Sequence, residues 1–388
     1  MAAIRVCIIL GTRPEAIKLA PVIRAFRRDD RFETQVVLTG QHREMVAQVM
    51  DLFGLGADRD LAIMKPGQTL TDITCDSLRG LGPVFDELKP HFAIVQGDTT
   101  TAFAAAIAAF YRQIPVGHVE AGLRTDNLYS PFPEEANRRL ISQITALHFA
   151  PTPLAVENLQ KADVIGQIHH TGNTVIDALL TVAATNPPCT IAPIAGTRNH
   201  GRTPDWTGHR VILSTVHRRE NWGEPLHAIA DAFLQLLDQF DDLAIALPLH
   251  RNPTVRDPLT ARLGDHERVF LTEPLDYADL IGAMQRCHLL LSDSGGLQEE
   301  APSLGKPVLV LRDTTERPEA IAAGTAKLVG TDTADIVREA AHLLTDRAAY
   351  DRMAQATNPF GDGQASGRIV QLVADYFANS PVQPTSLA

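Results

Sequence analysis

Short apolar segments alternate with longer amphipathic ones from one end of the chain to the other. The short segments are rich in Val, Ile and Leu, and the longer ones carry apolar residues at helical spacing. This alternation is typical of βα units on a parallel sheet. The predicted strands are 4–10, 34–38, 92–95, 116–119, 148–150, 211–216, 243–247, 269–272, 288–291 and 308–311.

Polar residues capable of chemistry come directly after these strands. Arg13, Asp98 and Glu120 each follow a strand of the first half, and His217 follows the first strand of the second half. In open α/β sheets the ligand crevice lies outside the carboxyl ends of the strands. We therefore expect these side chains to line one crevice.

The alternation stops over residues 185–210, where Pro and Gly are frequent and no apolar period is visible. We predict an exposed connecting segment there. The alternation starts afresh at residue 211, which predicts an α/β protein of two doubly wound domains facing a central cleft. The predicted domains are residues 1–175 and 176–362, followed by a C-terminal stretch, 363–388.

Composition and charge narrow the class of protein. With 388 residues the chain is long enough for two domains with separate cores, and 45% hydrophobic and 21% charged residues are typical of a soluble globular protein. A net charge of -11 argues against broad nucleic-acid binding, which needs a basic face. The first apolar run is too short to span a membrane, so we expect a cytoplasmic protein.

The cysteines indicate neither a disulfide framework nor a metal site. Cys7, Cys75, Cys189 and Cys287 are scattered, and no Cys-x-x-Cys pair or histidine group has ligand spacing. We therefore expect no structural metal.

The stretch 291–306 has the pattern of a strand, a Ser/Gly turn and a helix start. Glycines let a ligand approach the backbone, and the free amides of a helix start favour a phosphate or diphosphate. Glu299 and Glu300 argue that something polar and neutral, such as ribose hydroxyls, lies beside that phosphate. Because the turn is not G-x-G-x-x-G, a nucleotide diphosphate is a better prediction than a nicotinamide dinucleotide. An ordinary turn before a helix explains this segment, taken alone, about equally well.

Other candidates also have structural interpretations when each is taken alone. Asp98, before three threonines, could be a helix N-cap, and Glu134 could complete a first helical turn after Pro133. Arg13 and Arg317 each stand beside Pro and Glu and could form surface ion pairs of little energetic weight.

Eight motifs together carry a resemblance that covers nearly the whole chain. They are GTRPEAIK (11–18), QHREM (41–45), GDTTT (97–101), HVEAGLR (118–124), PEEANR (133–138), HRREN (217–221), DSGG (293–296) and RDTTERPE (312–319). In this order they resemble the non-hydrolysing UDP-N-acetylglucosamine 2-epimerases. The resemblance implies two Rossmann-like domains of the glycosyltransferase-B type, with a last helix that crosses back onto the first domain and ends in a frayed tail.

The resemblance also implies an activity. Members of this family interconvert UDP-N-acetylglucosamine and UDP-N-acetylmannosamine by anti elimination of UDP to a 2-acetamidoglucal and its re-addition. No redox cofactor or metal is implied. Many members are homodimers, and some bacterial ones are activated by their own substrate at a second site.

Site residues follow from the same resemblance, in three groups. The acid–base group is Asp98, Glu120, Glu134 and His217. The substrate- and UDP-binding group is Arg13, Lys18, Ser294, Gly295, Gly296, Glu300 and Arg317. The group lining the second, activating site is Gln41, His42 and Arg218, together with Glu134. Two or three carboxylates in one crevice push their pKa values apart, so that one can hold a proton while another is ionised. The sequence leaves open which is acid and which is base.

One position departs from the family pattern, and rival functions remain open. Leu280 stands where the family often has an aromatic residue near the uracil. The rivals are a hydrolysing 2-epimerase, an epimerase of a UDP-diacetamido-uronic acid, a glycosyltransferase, and a nucleotide-sugar sensor without catalysis. Carboxylates near both faces of a sugar ring favour catalysis over sensing, and their number counts against a glycosyltransferase.

Overall fold

The computed structural model describes residues 3–65, 67–125 and 127–379. Their contacts form two compact units: unit 1 runs to Ala178 and resumes at Phe360, and unit 2 spans Leu179–Pro359. Among these residues no helix is both long and apolar enough to cross a membrane. The predicted frayed tail falls on residues 380–388, outside the described part.

In the described residues, unit 1 is built on a seven-stranded parallel sheet. Its strands are β1 (Ile4–Leu10), β2 (Phe32–Leu38), β3 (Arg59–Asp60), β4 (Phe92–Gln96), β5 (Val116–Val119), β6 (Leu147–Ala150) and β7 (Gln167–His170). They lie in the order β3-β2-β1-β4-β5-β6-β7. The winding direction changes between β1 and β4, which makes that pair the topological switch point of unit 1.

Helices connect these strands and cover the sheet. They are α1 (Arg13–Arg27), α2 (Arg43–Leu52), α3 (Leu70–Leu88), α4 (Thr100–Phe110), α5 (Glu134–Ser142), α6 (Pro153–Lys161) and α7 (Thr174–Ala183). The C-terminal helix of the described chain, α15 (Ala365–Asn379), packs against α1. The buried Asp177 carboxylate on α7 accepts the amides of Ala365 (3.2 Å) and Ser366 (2.7 Å), which fixes the start of α15 on unit 1.

The described part of unit 2 repeats this plan with a six-stranded parallel sheet. Its strands are β8 (Arg210–Thr215), β9 (Leu243–Pro248), β10 (Val269–Thr272), β11 (Leu289–Ser292), β12 (Val308–Val310) and β13 (Ala326–Leu328). Its helices are α8 (Glu224–Gln239), α9 (Pro253–Leu263), α10 (Tyr277–Arg286), α11 (Gly295–Glu300), α12 (Pro318–Ala322), α13 (Thr333–Thr345) and α14 (Arg347–Ala354), with 3-10 turns at Arg219–Asn221 and Ala301–Leu304. The order β10-β9-β8-β11-β12-β13 puts the switch point between β8 and β11.

The predicted fold class, α/β with two doubly wound domains of the glycosyltransferase-B type, is confirmed for these two parallel sheets. The pattern missed three strands, β3, β7 and β13. All three are edge strands with polar or exposed residues, so they lack the continuous apolar run of a strand buried on both faces.

The prediction of an exposed segment at 185–210 is wrong in one respect. The segment forms no helix, but the amide of Ile194 bonds Leu271 O (2.9 Å), and Ile191 is buried. The side chain of Asn199, 1% exposed, donates to the carbonyls of Glu267 and Val269 at 3.0 and 2.7 Å. Side-chain bonds to a neighbouring loop replace the periodic pattern that would have revealed this packing.

The hydrophobic core of unit 2 can be tested by substitution. Phe233 on α8 is fully buried among the aliphatic side chains of the β8–β9 region. Phe233→Ala is expected to lower the free energy of unfolding by about 3–5 kcal/mol, through lost burial and the cavity left behind. Gln235→Ala, an exposed position of the same helix, should change it by less than about 0.5 kcal/mol. Chemical denaturation of both variants measures the difference, and equal effects would contradict the assigned core.

Candidate active site

The candidate residues of each unit collect at its switch point. In unit 1 the turns after β1 and β4 carry Arg13 and Asp98, and in unit 2 the turns after β8 and β11 carry His217 and Ser294. Ligands of open parallel sheets bind where the winding direction changes. The strand order therefore supports the choice of these turns in both units.

Glu120 follows β5 and is held by a set of hydrogen-bond donors. Lys18 Nζ lies 2.5 and 2.6 Å from its two carboxylate oxygens, and Asn173 Nδ2 donates to Oε1 at 3.3 Å. Gln96 Nε2 also donates to Oε2. The Glu120 backbone has a φ of 62°, in the left-handed region that non-glycine residues rarely adopt. A carboxylate that only accepts from such donors is stabilised as the anion.

The sequence left open that Asp98 is only the N-cap of α4, but in the structure it is not the N-cap. Thr99 takes that position, and its hydroxyl accepts the amide of Ala102 at 3.0 Å. The Asp98 carboxylate instead accepts from Arg138 Nη2 at 2.5 Å, and its carbonyl accepts from Asn137 Nδ2 at 2.9 Å. Asp98 is therefore fixed by two side chains of α5.

A buried charge on α5 supports that contact, and the sequence analysis did not single it out. The side chain of Glu135 is fully buried and accepts from Arg138 (3.1 Å), Arg139 (2.5 Å) and the amide of Thr125 (3.0 Å). Glu135 and Asp98 thus share the Arg138 guanidinium, whose side chain is only 10% exposed. The i, i+3 and i, i+4 spacing of the charges in PEEANRR was a signal that could have found this network.

Glu134 differs from the other two carboxylates. It is the first residue of α5, and within the described residues its buried Oε2 has no hydrogen-bond partner. A buried carboxyl oxygen without a partner is costly, and a ligand or a proton can satisfy it.

Glu15 is a further buried carboxylate that the sequence analysis did not name. Its side chain accepts the amides of Gly11 (2.9 Å) and Thr12 (2.7 Å) and the hydroxyl of Thr99 (2.6 Å). Burial raises the pKa of Glu15, and these hydrogen bonds oppose that rise. The Glu15 carboxylate thus links the turn after β1 to the turn after β4. The T-x-x-E spacing at 12–15 is a capping-box pattern that could have identified this residue from the sequence.

The cations of unit 1 have different surroundings. Arg13 opens α1 and is half-buried, and in the described part of the chain its guanidinium has no hydrogen bond or ion pair. Lys18, by contrast, lies on the Glu120 carboxylate. Arg13 is thus open to an anion, whereas Lys18 already neutralises one.

Gln41 and His42 follow β2 and lie close to the β1 turn. Gln41 Oε1 accepts from the hydroxyl of Thr101 at 2.7 Å, and the amide of His42 bonds Gly11 O at 2.8 Å. Burial lowers the pKa of His42, and its Nδ1 has no partner among the described residues. This ring is therefore favoured in its neutral form.

In unit 2 the buried Asp293 organises the turn after β8. Its Oδ2 accepts the amides of His217 and Arg218, both at 2.8 Å, and Asn221 Nδ2 at 3.0 Å. Its Oδ1 lies 3.0 Å from His217 Nδ1. Burial would raise the pKa of Asp293, but the His217 side chain and the amides outweigh burial and lower it.

Arg312 ties the turns after β8 and β12 together. Its guanidinium is 6% exposed and lies between Glu220 and Glu316, at 2.5 and 2.6 Å. Arg218 Nη1 approaches Glu316 at 3.7 Å. Burial would raise the pKa of Glu316, but the Arg312 hydrogen bonds and charge lower it to about 2.

Glu316 gives a pH-dependent test. Because its folded pKa lies below its unfolded value, its contribution to stability is present at neutral pH and is lost as pH falls below about 4.5. Because the Glu316 side chain is 39% exposed, solvent screens the pair, and Glu316→Gln is expected to lower Tm at pH 7 by only roughly 2–4 °C, the effect of about 1 kcal/mol in a domain of this size. The difference from wild type should narrow at pH 3.5 in thermal scans. Glu267→Gln, which removes an exposed pair with Arg198, should show neither effect, and a constant difference for Glu316→Gln would contradict the assigned ion pair.

The turn 294–296 leaves room for a ligand. A Cβ added to Gly296 would meet nothing nearer than Glu300 Oε2 at 3.9 Å and Ser294 Oγ at 4.0 Å, and one added to Gly295 would lie 3.5 Å from Arg218. The amide of Ser294 bonds Ser292 Oγ at 3.0 Å. This open backbone leaves space for a ligand to approach closely, and the phosphate-binding role of the turn stays a prediction.

Glu300 and Arg317 both have partners that the sequence did not reveal. The buried Glu300 accepts from the Tyr277 hydroxyl at 2.8 Å. The Arg317 guanidinium is ion-paired with the buried Glu299, so the surface ion pair considered from the sequence is instead a largely buried one. Leu280 lies on α10, in the same helix as Tyr277, and is partly exposed.

Within the described residues, no three His, Cys, Asp or Glu side chains are grouped so as to hold a metal ion. Burial raises the pKa of the Cys7 thiol beyond the normal range and that of Cys287 to about 12. These thiols are therefore protonated and poor ligands or nucleophiles.

Comparison with known proteins identifies the family. A family model described as UDP-N-acetylglucosamine 2-epimerase matches residues 24–374. Proteins named UDP-N-acetylglucosamine 2-epimerase are similar to this chain: that of Escherichia coli O157:H7 is 49% identical over 95% of this chain and 97% of its own, and that of Bacillus subtilis is 47% identical over 100% and 99%.

A solved structure agrees with these sequences. The UDP-GlcNAc 2-epimerase of Neisseria meningitidis, crystallised with UDP-GlcNAc, is 46% identical, has a TM-score of 0.84, and covers 96% of this chain and 100% of its own. A family model over most of the chain and relatives near 50% identity along nearly its full length show common descent. The chain belongs to the UDP-N-acetylglucosamine 2-epimerase family.

Proposed function

We propose that this protein catalyses the reversible C2 epimerisation of UDP-N-acetylglucosamine to UDP-N-acetylmannosamine. The observation that carries the proposal is the carboxylate set of unit 1. Asp98 and Glu120 follow the adjacent strands β4 and β5, and α5, which begins with Glu134, holds Asp98 through Arg138. Two carboxylates at the carboxyl ends of adjacent strands, with a third on the helix that holds one of them, fit a reaction that removes and returns a proton.

The reaction explains why several carboxylates are needed. C1 of the sugar is an acetal carbon, so no neighbouring carbonyl makes the C2 proton acidic. In the proposed path a base takes the C2 proton, the bond from C1 to the UDP oxygen breaks, and 2-acetamidoglucal forms with its double bond between C1 and C2. The UDP oxygen then adds back to C1 while a proton reaches C2 on the opposite face. Both faces of the ring need a proton carrier.

We assign roles within unit 1 from the contacts. Asp98 and Glu120 are held by cationic or amide donors, and we assign them as acid–base groups fixed in place. Glu134, whose Oε2 has no partner among the described residues, is the carboxyl left open to contact the sugar. In the described part of the chain Arg13 has no ion-pair partner, so we assign it to the departing diphosphate. Lys18 is ion-paired with Glu120, so we assign it to holding that carboxylate.

We assign UDP binding to unit 2. The Ser294, Gly295 and Gly296 turn would bind phosphate through backbone amides and the hydroxyl, and His217 would donate to the diphosphate. Glu300, oriented by Tyr277, would accept ribose hydroxyls. Arg317 would act near the nucleotide as half of an ion pair with Glu299 rather than as a free cation.

Further parts of the proposal rest on the family alone. We propose a homodimer, no cofactor, and a second UDP-sugar bound by Gln41, His42 and Arg218 as an activator. Sedimentation measures the oligomeric state. A sigmoidal dependence of rate on UDP-N-acetylglucosamine would support activation at a second site.

Proton NMR of the protein with UDP-N-acetylglucosamine in heavy water tests the reaction. We expect UDP-N-acetylmannosamine with deuterium at C2, because the proton returned to C2 comes from a solvent-exchanging group. Accumulation of UDP and free N-acetylmannosamine would instead identify the hydrolysing reaction. Binding of UDP-N-acetylglucosamine without any change would contradict catalysis on this sugar and favour a modified substrate or a sensor.

A further inference from the structure

We propose that Asp293 is a positioning residue for His217, which fixes the imidazole with Nδ1 toward its own carboxylate and leaves Nε2 for the diphosphate. The inference rests on the proposed function, in which His217 contacts the UDP diphosphate. It adds a residue that the motif resemblance left without a role, and it assigns the tautomer of the histidine.

The geometry separates the two oxygens of Asp293. Oδ2 accepts three N–H groups, those of the His217 and Arg218 backbone at 2.8 Å and Asn221 Nδ2 at 3.0 Å. Oδ1 lies 3.0 Å from His217 Nδ1, at ion-pair distance, and in the described residues it has no hydrogen-bond partner at this ring orientation. One oxygen therefore fixes the backbone of the turn, and the other is left to pair with the ring that the turn carries.

Electrostatics then select the proton position on the imidazole. Asp293 has no solvent-exposed side-chain surface, yet its neighbours keep its pKa below the usual value, so it is an anion that only accepts. His217 Nδ1 must carry a hydrogen to bond it. The neutral form of this tautomer has no hydrogen on Nε2, so Nε2 donates to the diphosphate only in the doubly protonated ring, whose charge the Asp293 anion balances.

The location of Asp293 gives this contact a functional meaning. It is the residue directly before the Ser294 to Gly296 turn, and its amide bonds Thr215 O at the end of β8. The same residue thus fixes both the proposed diphosphate-binding turn and the imidazole proposed to donate to that diphosphate. The ring of His250 neighbours that of His217, with centroids 6.3 Å apart and planes 24° apart.

Asp293→Asn isolates the ring contact. The amide oxygen can still accept the three N–H groups, but the NH₂ group now faces His217 Nδ1 and forces the ring hydrogen onto Nε2. We expect kcat for epimerisation to fall about 10²-fold, a typical loss for a displaced proton-transfer or hydrogen-bonding group. The dissociation constant for UDP should rise less than about threefold, since the turn itself is retained. Asp332→Asn, which changes an exposed helix cap of unit 2, should leave kcat unchanged.

A double-mutant cycle distinguishes positioning from a purely structural role. If Asp293 acts through His217, then Asp293→Asn should cost no more than about twofold in kcat when His217 is already Ala. An equal loss in both backgrounds, or wild-type kcat in Asp293→Asn, would overturn the proposal.

A measurement on the wild-type protein covers the case in which Asp293→Asn does not fold. In protein labelled with ¹⁵N-histidine, the His217 ring is identified by the signals missing from His217→Ala. We expect the hydrogen on Nδ1 in the neutral ring, and a neutral ring protonated on Nε2 would refute the proposal. Because this readout needs no turnover, it remains decisive even if the proposed epimerisation is wrong.

Discussion

Glu120→Gln is expected to reduce epimerisation by about 10²–10⁴-fold while UDP still binds. The amide has the same shape and can still bond Gln96 or Asn173, but it can neither take nor return a proton at neutral pH. Lys18 would lose the Glu120 anion, and the substitution does not touch the groups of unit 2 assigned to UDP, so UDP affinity should not weaken. Turnover by NMR and UDP binding by calorimetry measure the two effects separately.

A matched control makes this result specific. Glu157→Gln changes an exposed glutamate of α6 whose nearest cation, Lys161, is 3.8 Å away, and it should leave both quantities unchanged. Full activity in Glu120→Gln would remove this residue from the mechanism. Loss of UDP binding together with activity would instead indicate that the Lys18–Glu120 pair shapes the binding surface.

Gly296→Asp is expected to weaken UDP binding by about 10²-fold, which is about 3 kcal/mol. Two like charges about 4 Å apart repel by about 4 kcal/mol at an effective dielectric constant of about 20. The substitution should not disturb the fold, because a Cβ at Gly296 meets no atom nearer than 3.9 Å and the backbone there needs no positive φ. Isothermal titration with UDP measures the change.

Two control variants distinguish a direct effect on UDP binding from a disturbance of the fold. Gly296→Ala adds the Cβ without charge and should weaken UDP binding much less than Asp does. Gly56→Asp adds the same charge at an exposed glycine with no atom within 4 Å of its Cβ, and it should have no effect on UDP binding. Unchanged UDP affinity in Gly296→Asp would refute the phosphate-binding role of this turn.

Sequence patterns predicted most strands of the two sheets and the turns that carry the candidate residues. Interior strands such as β1 and β5 are mostly apolar and buried, and their predicted bounds agree with the structure. Edge strands were missed because polar residues that face solvent interrupt their apolar pattern. The roles assigned to single residues stay predictions until the variants are measured.

Other features could not be predicted because they depend on partners far along the chain. Arg317 is an example, since its guanidinium pairs with Glu299 on another element. Asp293 is another: the local pattern marked a phosphate turn, but not that the residue before it contacts the ring and amide of His217, 76 positions earlier in the chain.

The sequence by itself determined the two doubly wound sheets, the family, and the positions of the candidate side chains directly after strands. Periodicity and motifs encode these features locally. Only the tertiary structure decided which charges meet: Lys18 with Glu120, and Asp98 with Arg138. The reason is physical, because strand order and helix docking set the distance between groups 40 to 102 residues apart, and no local period carries that information.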